Sequence, residues 1–168
     1  ELGRLEEALG SLTQATALKP SYAEAHGNLG NTLKEIGRLD DAVARYERVI
    51  ELSPNSAEAY SNLGCTLQEL NRLEEARTNC IKAIRLKADF AAAHNNLGNS
   101  LQGLGRFNEA EASYRQAIAL TPDFVQAHDN LGCTLKMLGR LNESEASHKQ
   151  AIALDPDFAE AYGNLGII

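Results

Sequence analysis

The chain has little of what most functional classes require. It contains no run of about 18 apolar residues, the length a membrane-spanning helix needs. Four prolines and 13 glycines in 168 residues are too few for a flexible or collagen-like chain. Cations are short: 16 Lys and Arg stand against 23 Asp and Glu, a formal net charge of -7. No window gathers those cations into the basic stripe that displaces counterions from phosphates, so nucleic acid is disfavoured as a partner. Three cysteines, an odd number at wide spacing, read as free thiols of a reducing, cytoplasmic setting rather than as a disulfide framework. The start, Glu1-Leu2-Gly3-Arg4, shows neither an initiator Met nor a signal-peptide pattern. What is present in ordinary amount is 43% hydrophobic and 23% charged residues, the balance of a folded chain.

Self-similarity decides the fold class. Leu-Gly pairs stand at Leu29-Gly30, Leu63-Gly64, Leu97-Gly98, Leu131-Gly132 and Leu165-Gly166, each 34 residues after the last. Full repeats therefore run over 23–56, 57–90, 91–124 and 125–158, between a half repeat 1–22 and a partial repeat 159–168. Each repeat reads as two helices. Leu29, Leu33 and Ile36 give the first its i, i+4, i+7 apolar stripe. Ser21 with Glu24, Asn55 with Glu58 and Asp157 with Glu160 have capping-box or similar spacing at its start. Gly37, Asn71, Gly105 and Gly139, each followed by Arg, are residues that tolerate the left-handed conformation ending a helix. The second helix carries Ala42, Tyr46, Val49, Ile50 and Leu52 and stops before Pro54, with Pro20, Pro122 and Pro156 in the same place. A glycine inside the first helix costs about 1 kcal/mol relative to Ala. Its recurrence predicts a close helix crossing, with Ala8, Ala42, Ala76, Ala110 and Ser144 as the facing small residues.

The period, the Leu-Gly pair, the second-helix Ala, Tyr46 and Tyr114, and the closing Pro together resemble the tetratricopeptide repeat over the whole chain. The resemblance implies an all-α, right-handed superhelical solenoid of antiparallel helix pairs, with first helices lining a concave groove. Departures are local. His26, His94 and His128 occupy an aromatic position, Cys80 and His148 replace the second-helix aromatic, and Ala88 replaces a Pro. Phe90, Phe124, Phe158 and Tyr22 recur at the loops between repeats and read as core staples.

Facing such a groove, helical spacing places one asparagine per repeat: Asn28, Asn62, Asn96, Asn130 and Asn164. A carboxamide offers two N–H donors and one acceptor, so a ladder of them about 10 Å apart, the spacing of packed helices, suits the backbone of an extended peptide. An Asn can equally bond to a neighbouring helix. The pattern is similar to the asparagine ladder of O-linked N-acetylglucosamine transferase, and long bacterial arrays resemble it too. Asn31 and Asn99 (with Cys65 and Cys133 at the same position), and Lys34, Gln68, Gln102 and Lys136, complete the candidate groove. One residue before each ladder Asn stand Gly27, Ser61, Asn95, Asp129 and Gly163, and specificity is expected in these varying positions. Glu24, Glu35, Glu58, Glu69, Asp129 and Glu160 against Lys34 and Lys136 make the groove mildly acidic, which favours a neutral to basic segment. No Lys/Arg clamp flanks a ladder Asn, so capture of acidic chaperone tails is not expected.

No metal-ligand spacing such as Cys-x-x-Cys is present, and no Ser/His/Asp, paired-carboxylate or phosphate-loop pattern stands out. The expectation is a module without cofactor, metal or catalytic activity whose partner is a protein or peptide. Leu2, Leu5, Leu9 and Leu12 at one end, and Leu165, Ile167 and Ile168 at the other, lack partners. They suggest a piece of a longer array and define two rivals: a scaffold that self-associates head to tail, and the substrate-targeting arm of a larger enzyme such as a glycosyltransferase.

Overall fold

The computed structural model describes residues 2–166, ten helices and no strand among them. They are α1 (Leu2–Leu18), α2 (Ala23–Glu35), α3 (Leu39–Leu52), α4 (Ala57–Glu69), α5 (Leu73–Leu86), α6 (Ala91–Gly103), α7 (Phe107–Leu120), α8 (Val125–Met137), α9 (Leu141–Leu154) and α10 (Ala159–Leu165). The chain divides into two compact units, Glu1–Ala88 and Asp89–Ile168. Ile167 and Ile168 lie outside the described residues.

In the first unit α2 packs on α3, α3 on α4 and α4 on α5, with α1 against α2. Its core gathers Leu29, Leu33, Tyr46, Leu63 and Leu67 around the fully buried Ala42 and Ala76; Leu9 and Leu12 of α1, expected to lack partners, pack against it because α2 covers their face. In the second unit α6 packs on α7, α7 on α8, α8 on α9 and α9 on α10. Leu101, Tyr114, Leu131 and Leu135 form its core around Ala110. No helix pair could bury its apolar stripe alone; stacking the next pair on it does so.

The turns between paired helices follow the sequence closely. Gly37, Gly105 and Gly139 have φ of 77°, 73° and 76°, and Asn71 has 58°. At each, two backbone bonds close the helix end: Arg38 N–H donates to Leu33 O (2.8 Å) and Gly37 N–H to Lys34 O (2.9 Å). This is the Schellman pattern, which a Cβ at the left-handed position opposes. At the second-helix ends, Ser53, Lys87, Thr121 and Asp155 all adopt extended backbone, φ from -137° to -143°. Three of them precede Pro, which disfavours the helical region for its neighbour. Lys87 takes the same conformation before Ala88, so the missing Pro leaves the fold unaltered.

Three sequence expectations need correction. Ser21, Asn55 and Asp157 do not cap. The first helices start one residue later, with Tyr22, Ser56 and Phe158 at the cap position, and of these only Ser56 caps with its side chain, accepting from Ala59 N–H at 3.2 Å. The loop before α2 is instead tied by the His26 imidazole, whose Nε2 bonds to the Pro20 carbonyl at 3.1 Å; His128 does the same to Pro122 at 2.9 Å. The helical glycines do not chiefly face alanine. A Cβ on Gly30 would stand 2.8 Å from the Tyr46 ring, on Gly98 2.5 Å from Tyr114, on Gly132 2.6 Å from His148, and on Gly64 2.7 Å from Cys80 Sγ. Each glycine makes room for the residue that holds the aromatic position of the next helix. Tyr22, finally, is 40% exposed and staples no core; its hydroxyl meets Glu24 at 3.3 Å and Lys19 lies over its ring.

Candidate functional site

In the first unit the ends of α2 and α4 and the α3–α4 loop wall a cleft of about 560 Å³. Gly27, Asn28 and Asn31 line it from α2, Tyr46 and Val49 from α3, and Glu58, Ala59 and Asn62 from α4. A recess of about 360 Å³ continues past Asn31 and Asn62 to Lys34, Glu35 and Glu69. The second unit has a cleft of about 500 Å³ lined by Asn99, Gln102, Phe107, Asn130 and Met137. Glu24 and Glu58 on the first cleft are exposed, and neither has an ion-pair partner among the described residues.

The ladder asparagines are not five equal open rungs. Asn28 is exposed, while Asn62, Asn96, Asn130 and Asn164 are half-buried. Asn130 Nδ2 donates to Asn95 Oδ1 at 3.1 Å, and Asn164 Nδ2 reaches both Asp129 oxygens at 3.1 and 3.0 Å. Asn62 Nδ2 makes a long contact of 3.5 Å with Asn31 Oδ1. Asn95 and Asp129, expected to vary along the groove as specificity positions, are 7% and 6% exposed and serve as acceptors for the next repeat's amide. Burial also removes Asp129 from the count of groove charges. A carboxamide that gives one N–H to such a tie keeps its carbonyl and second N–H, so the tie orients the rung without consuming it.

The other candidates divide in the same way. Asn31 and Asn99 each accept a 2.7 Å bond from a buried tyrosine hydroxyl, Tyr46 and Tyr114 respectively. Burial pushes the Tyr46 hydroxyl up to about 12, and raises Tyr114 further. Gln102 accepts from Thr134 at 3.0 Å and lies 3.0 Å from the Tyr114 hydroxyl. Lys34 bridges Glu69 at 3.0 Å and contacts Cys65 Sγ at 3.1 Å. Burial pulls its ammonium down, and the Cys65 and Glu69 contacts more than reverse that, so its pKa is raised. Gln68 and Lys136 are half-buried. Sequence reasoning missed Phe107 and Met137. The signal for Met137 was a large apolar residue at the open end of a first helix, and it is 62% exposed.

Spacing along the chain gave no metal-ligand set, but the fold assembles one candidate. An oxygen of Asp129, Cys133 Sγ and a His148 ring nitrogen lie within 4.8 Å of one another. Burial, and then the nearby Asp129 carboxylate, push the Cys133 thiol up to about 11. His148 Nδ1 bonds to Asp129 Oδ1 at 2.7 Å.

An all-α chain of 34-residue helix pairs with amide-lined clefts belongs to the helical-repeat scaffolds, whose work is to hold other chains. This chain is a member of the tetratricopeptide repeat family: the family described as TPR repeat matches residues 1–37, 30–71 and 66–105, and that described as Tetratricopeptide repeat matches residues 89–157. Proteins of this family are protein–protein interaction modules and typically not enzymes. Among solved structures, that of TTC0263, a thermophilic TPR protein of Thermus thermophilus, is 25% identical. The match covers 99% of this chain and 91% of that one, with a TM-score of 0.84. A structure of MamA is also 25% identical, over 94% of this chain and 92% of that one, with a TM-score of 0.80. YrrB, described as a TPR protein with an unusual peptide-binding site, shares the fold at 22% identity over 96% and 84% of the two chains, with a TM-score of 0.75. No curated protein matches the chain. No helix among the described residues is long and apolar enough to cross a membrane.

Proposed function

We propose that the chain binds an extended protein segment through the carboxamides of its first helices, and that the first unit's cleft prefers neutral to basic residues. One observation carries this reading. The same pair of amides, Asn31 with Asn62 and Asn99 with Asn130, lines a cleft in each of the two units. The internal ties fix the side-chain orientation in advance, which lowers the entropy lost on binding. Glu24 and Glu58 supply the preference for a cationic side chain at the first cleft. YrrB, which shares the fold, is described as having an unusual peptide-binding site, which supports a peptide as the kind of partner.

The test measures fluorescence anisotropy of labelled extended peptides of neutral, basic and acidic composition against the parent chain and the Asn62→Ala and Asn130→Ala variants. Each variant should weaken the neutral and basic peptides about tenfold, the worth of a lost hydrogen bond at a desolvated site, at unchanged helicity. Unchanged affinity in both variants removes the amides from the binding surface. Head-to-tail self-association is the second reading, and a concentration series in sedimentation separates it: a plain monomer over the range where peptide binds excludes it.

A further inference from the structure

The fourth repeat departs from the third at three positions together. Where the third has Asn95, Asn99 and Tyr114, the fourth has Asp129, Cys133 and His148. In the third repeat the long phenol passes over Gly98 and reaches Asn99. An imidazole in that place is shorter. It lies over Gly132 and turns to Asp129 instead, with Nδ1 2.7 Å from Oδ1. The ring is fully buried, Asp129 nearly so, and Cys133 half-buried. Hydrogen bonding uses only one nitrogen of the ring, because His148 Nε2 is buried without a hydrogen-bond partner. What sets the fourth repeat apart is the juxtaposition itself: a carboxylate oxygen, a thiol sulfur and an imidazole nitrogen within 4.8 Å of one another, the ring fully buried.

We propose that Asp129, Cys133 and His148 form a three-ligand site for a borderline divalent cation of the zinc and cobalt class. The donor set makes the choice: a thiolate and an imidazole suit zinc and cobalt, whereas magnesium and calcium take oxygen cages. A tetrahedral site with bonds of about 2.0–2.3 Å sets its donors about 3.4–3.6 Å apart. The three atoms already lie within 4.8 Å of one another. The Asp129–His148 contact, 2.7 Å, has to open by somewhat under an ångström, and the thiol has to swing in by up to about 1.4 Å to reach that spacing. Both are side-chain rotations on adjacent turns of α8 and on the facing α9. Asn164, whose amide grips both oxygens of Asp129, serves as the outer partner that orients the carboxylate. The fourth coordination place goes to water or to a donor from a bound segment.

The experiment titrates the full chain, kept reduced, with Co2+ and follows its absorption. One equivalent should produce tetrahedral d–d bands together with a near-ultraviolet thiolate-to-cobalt band, and Zn2+ should bleach both. Cys133→Ser should lose the thiolate band and bind Zn2+ at least about tenfold more weakly, while Cys65→Ser, which removes the other half-buried thiol, should behave as the parent. Asn164→Ala should weaken Zn2+ about tenfold, in the range known for outer-shell partners. The pair Cys133→Asn with His148→Tyr gives the fourth repeat the third repeat's own hydrogen bond. It should therefore keep its helicity and lose the metal. A titration without a thiolate band at one equivalent, or a Cys133→Ser chain that binds Zn2+ as tightly as the parent, would overturn the proposal.

Discussion

Gly98 lies under the ring of Tyr114, where a Cβ would come within 2.5 Å of Cε1. Tyr114 is fully buried and its hydroxyl is tied to Asn99, so the ring cannot step aside. Gly98→Ala gains about 1 kcal/mol of helix propensity and loses about 1–3 to overpacking, so the variant should be less stable by urea denaturation. Gly10 of α1 meets nothing within 4 Å, and Gly10→Ala should be more stable by about 0.5–1 kcal/mol. If both substitutions move stability the same way, the packing account of these glycines is wrong. That the helical glycine answers to packing was legible in the sequence; that its partner is the aromatic ring was not. Periodicity says which residues share a face but not how far a long side chain leans along it. Tyr46 adds a pH dependence. Its hydroxyl is held neutral up to about 12 against an ordinary 10.0, chiefly by burial. The unfolded chain gives up that proton first, so the stability is complete below about pH 10 and is lost as pH rises towards 12. Tyr46→Phe should flatten this alkaline loss in a denaturation series, and equal slopes would show that the hydroxyl plays no part in it.

The second helices α3, α5, α7 and α9 each open on an arginine clamped to an acid three residues on: Arg38 with Asp41, Arg72 with Glu75, Arg106 with Glu109 and Arg140 with Glu143. The acid also complements the positive end of the helix dipole. These exposed pairs are each worth little. Arg140 does more, because it also reaches Glu111 of α7 at 2.7 Å, where Arg115 bonds from the other side at 2.9 Å. Burial pushes the Glu111 carboxyl up, but the two guanidinium hydrogen bonds outweigh it and hold the group below its ordinary 4.5. A depressed carboxylate stabilises the fold above that ordinary value and loses the contribution as pH falls through the folded one. Far-UV dichroism from pH 6 to pH 3 should therefore show a steeper loss in the parent than in Glu111→Gln, the two converging at the acid end; parallel curves would remove Glu111 from the acid transition. At this scale the sequence read well at the left-handed Gly37 and Asn71 turns, though it set the first-helix caps one residue early. It read poorly where partners lie about one repeat away. Asn130 and Asn95 are 35 residues apart, and no period in the chain says that one accepts from the other.

At the scale of the whole molecule, the surplus of acid matters because most cations are already committed. Arg38, Arg48, Arg72, Arg77, Arg106, Arg115, Arg140, Lys34 and Lys149 all sit in internal ion pairs. With a formal charge of -7, the chain presents a negative field to any partner, and Glu24 and Glu58, outside those ion pairs, bring that field to the first unit's cleft. Two forces should then separate by their salt dependence. Amide contacts with a peptide backbone carry no net charge and are indifferent to ionic strength, whereas attraction between exposed charges is screened once the Debye length falls from about 10 Å at 0.1 M to about 3 Å at 1 M. A basic peptide should thus weaken roughly three- to tenfold over that range while a neutral one holds its affinity. Glu58→Gln should reproduce part of the salt effect at low salt and leave the neutral peptide alone. Should the neutral peptide weaken with salt as steeply as the basic one, the carboxamides are not what holds the backbone, and binding rests on charge alone.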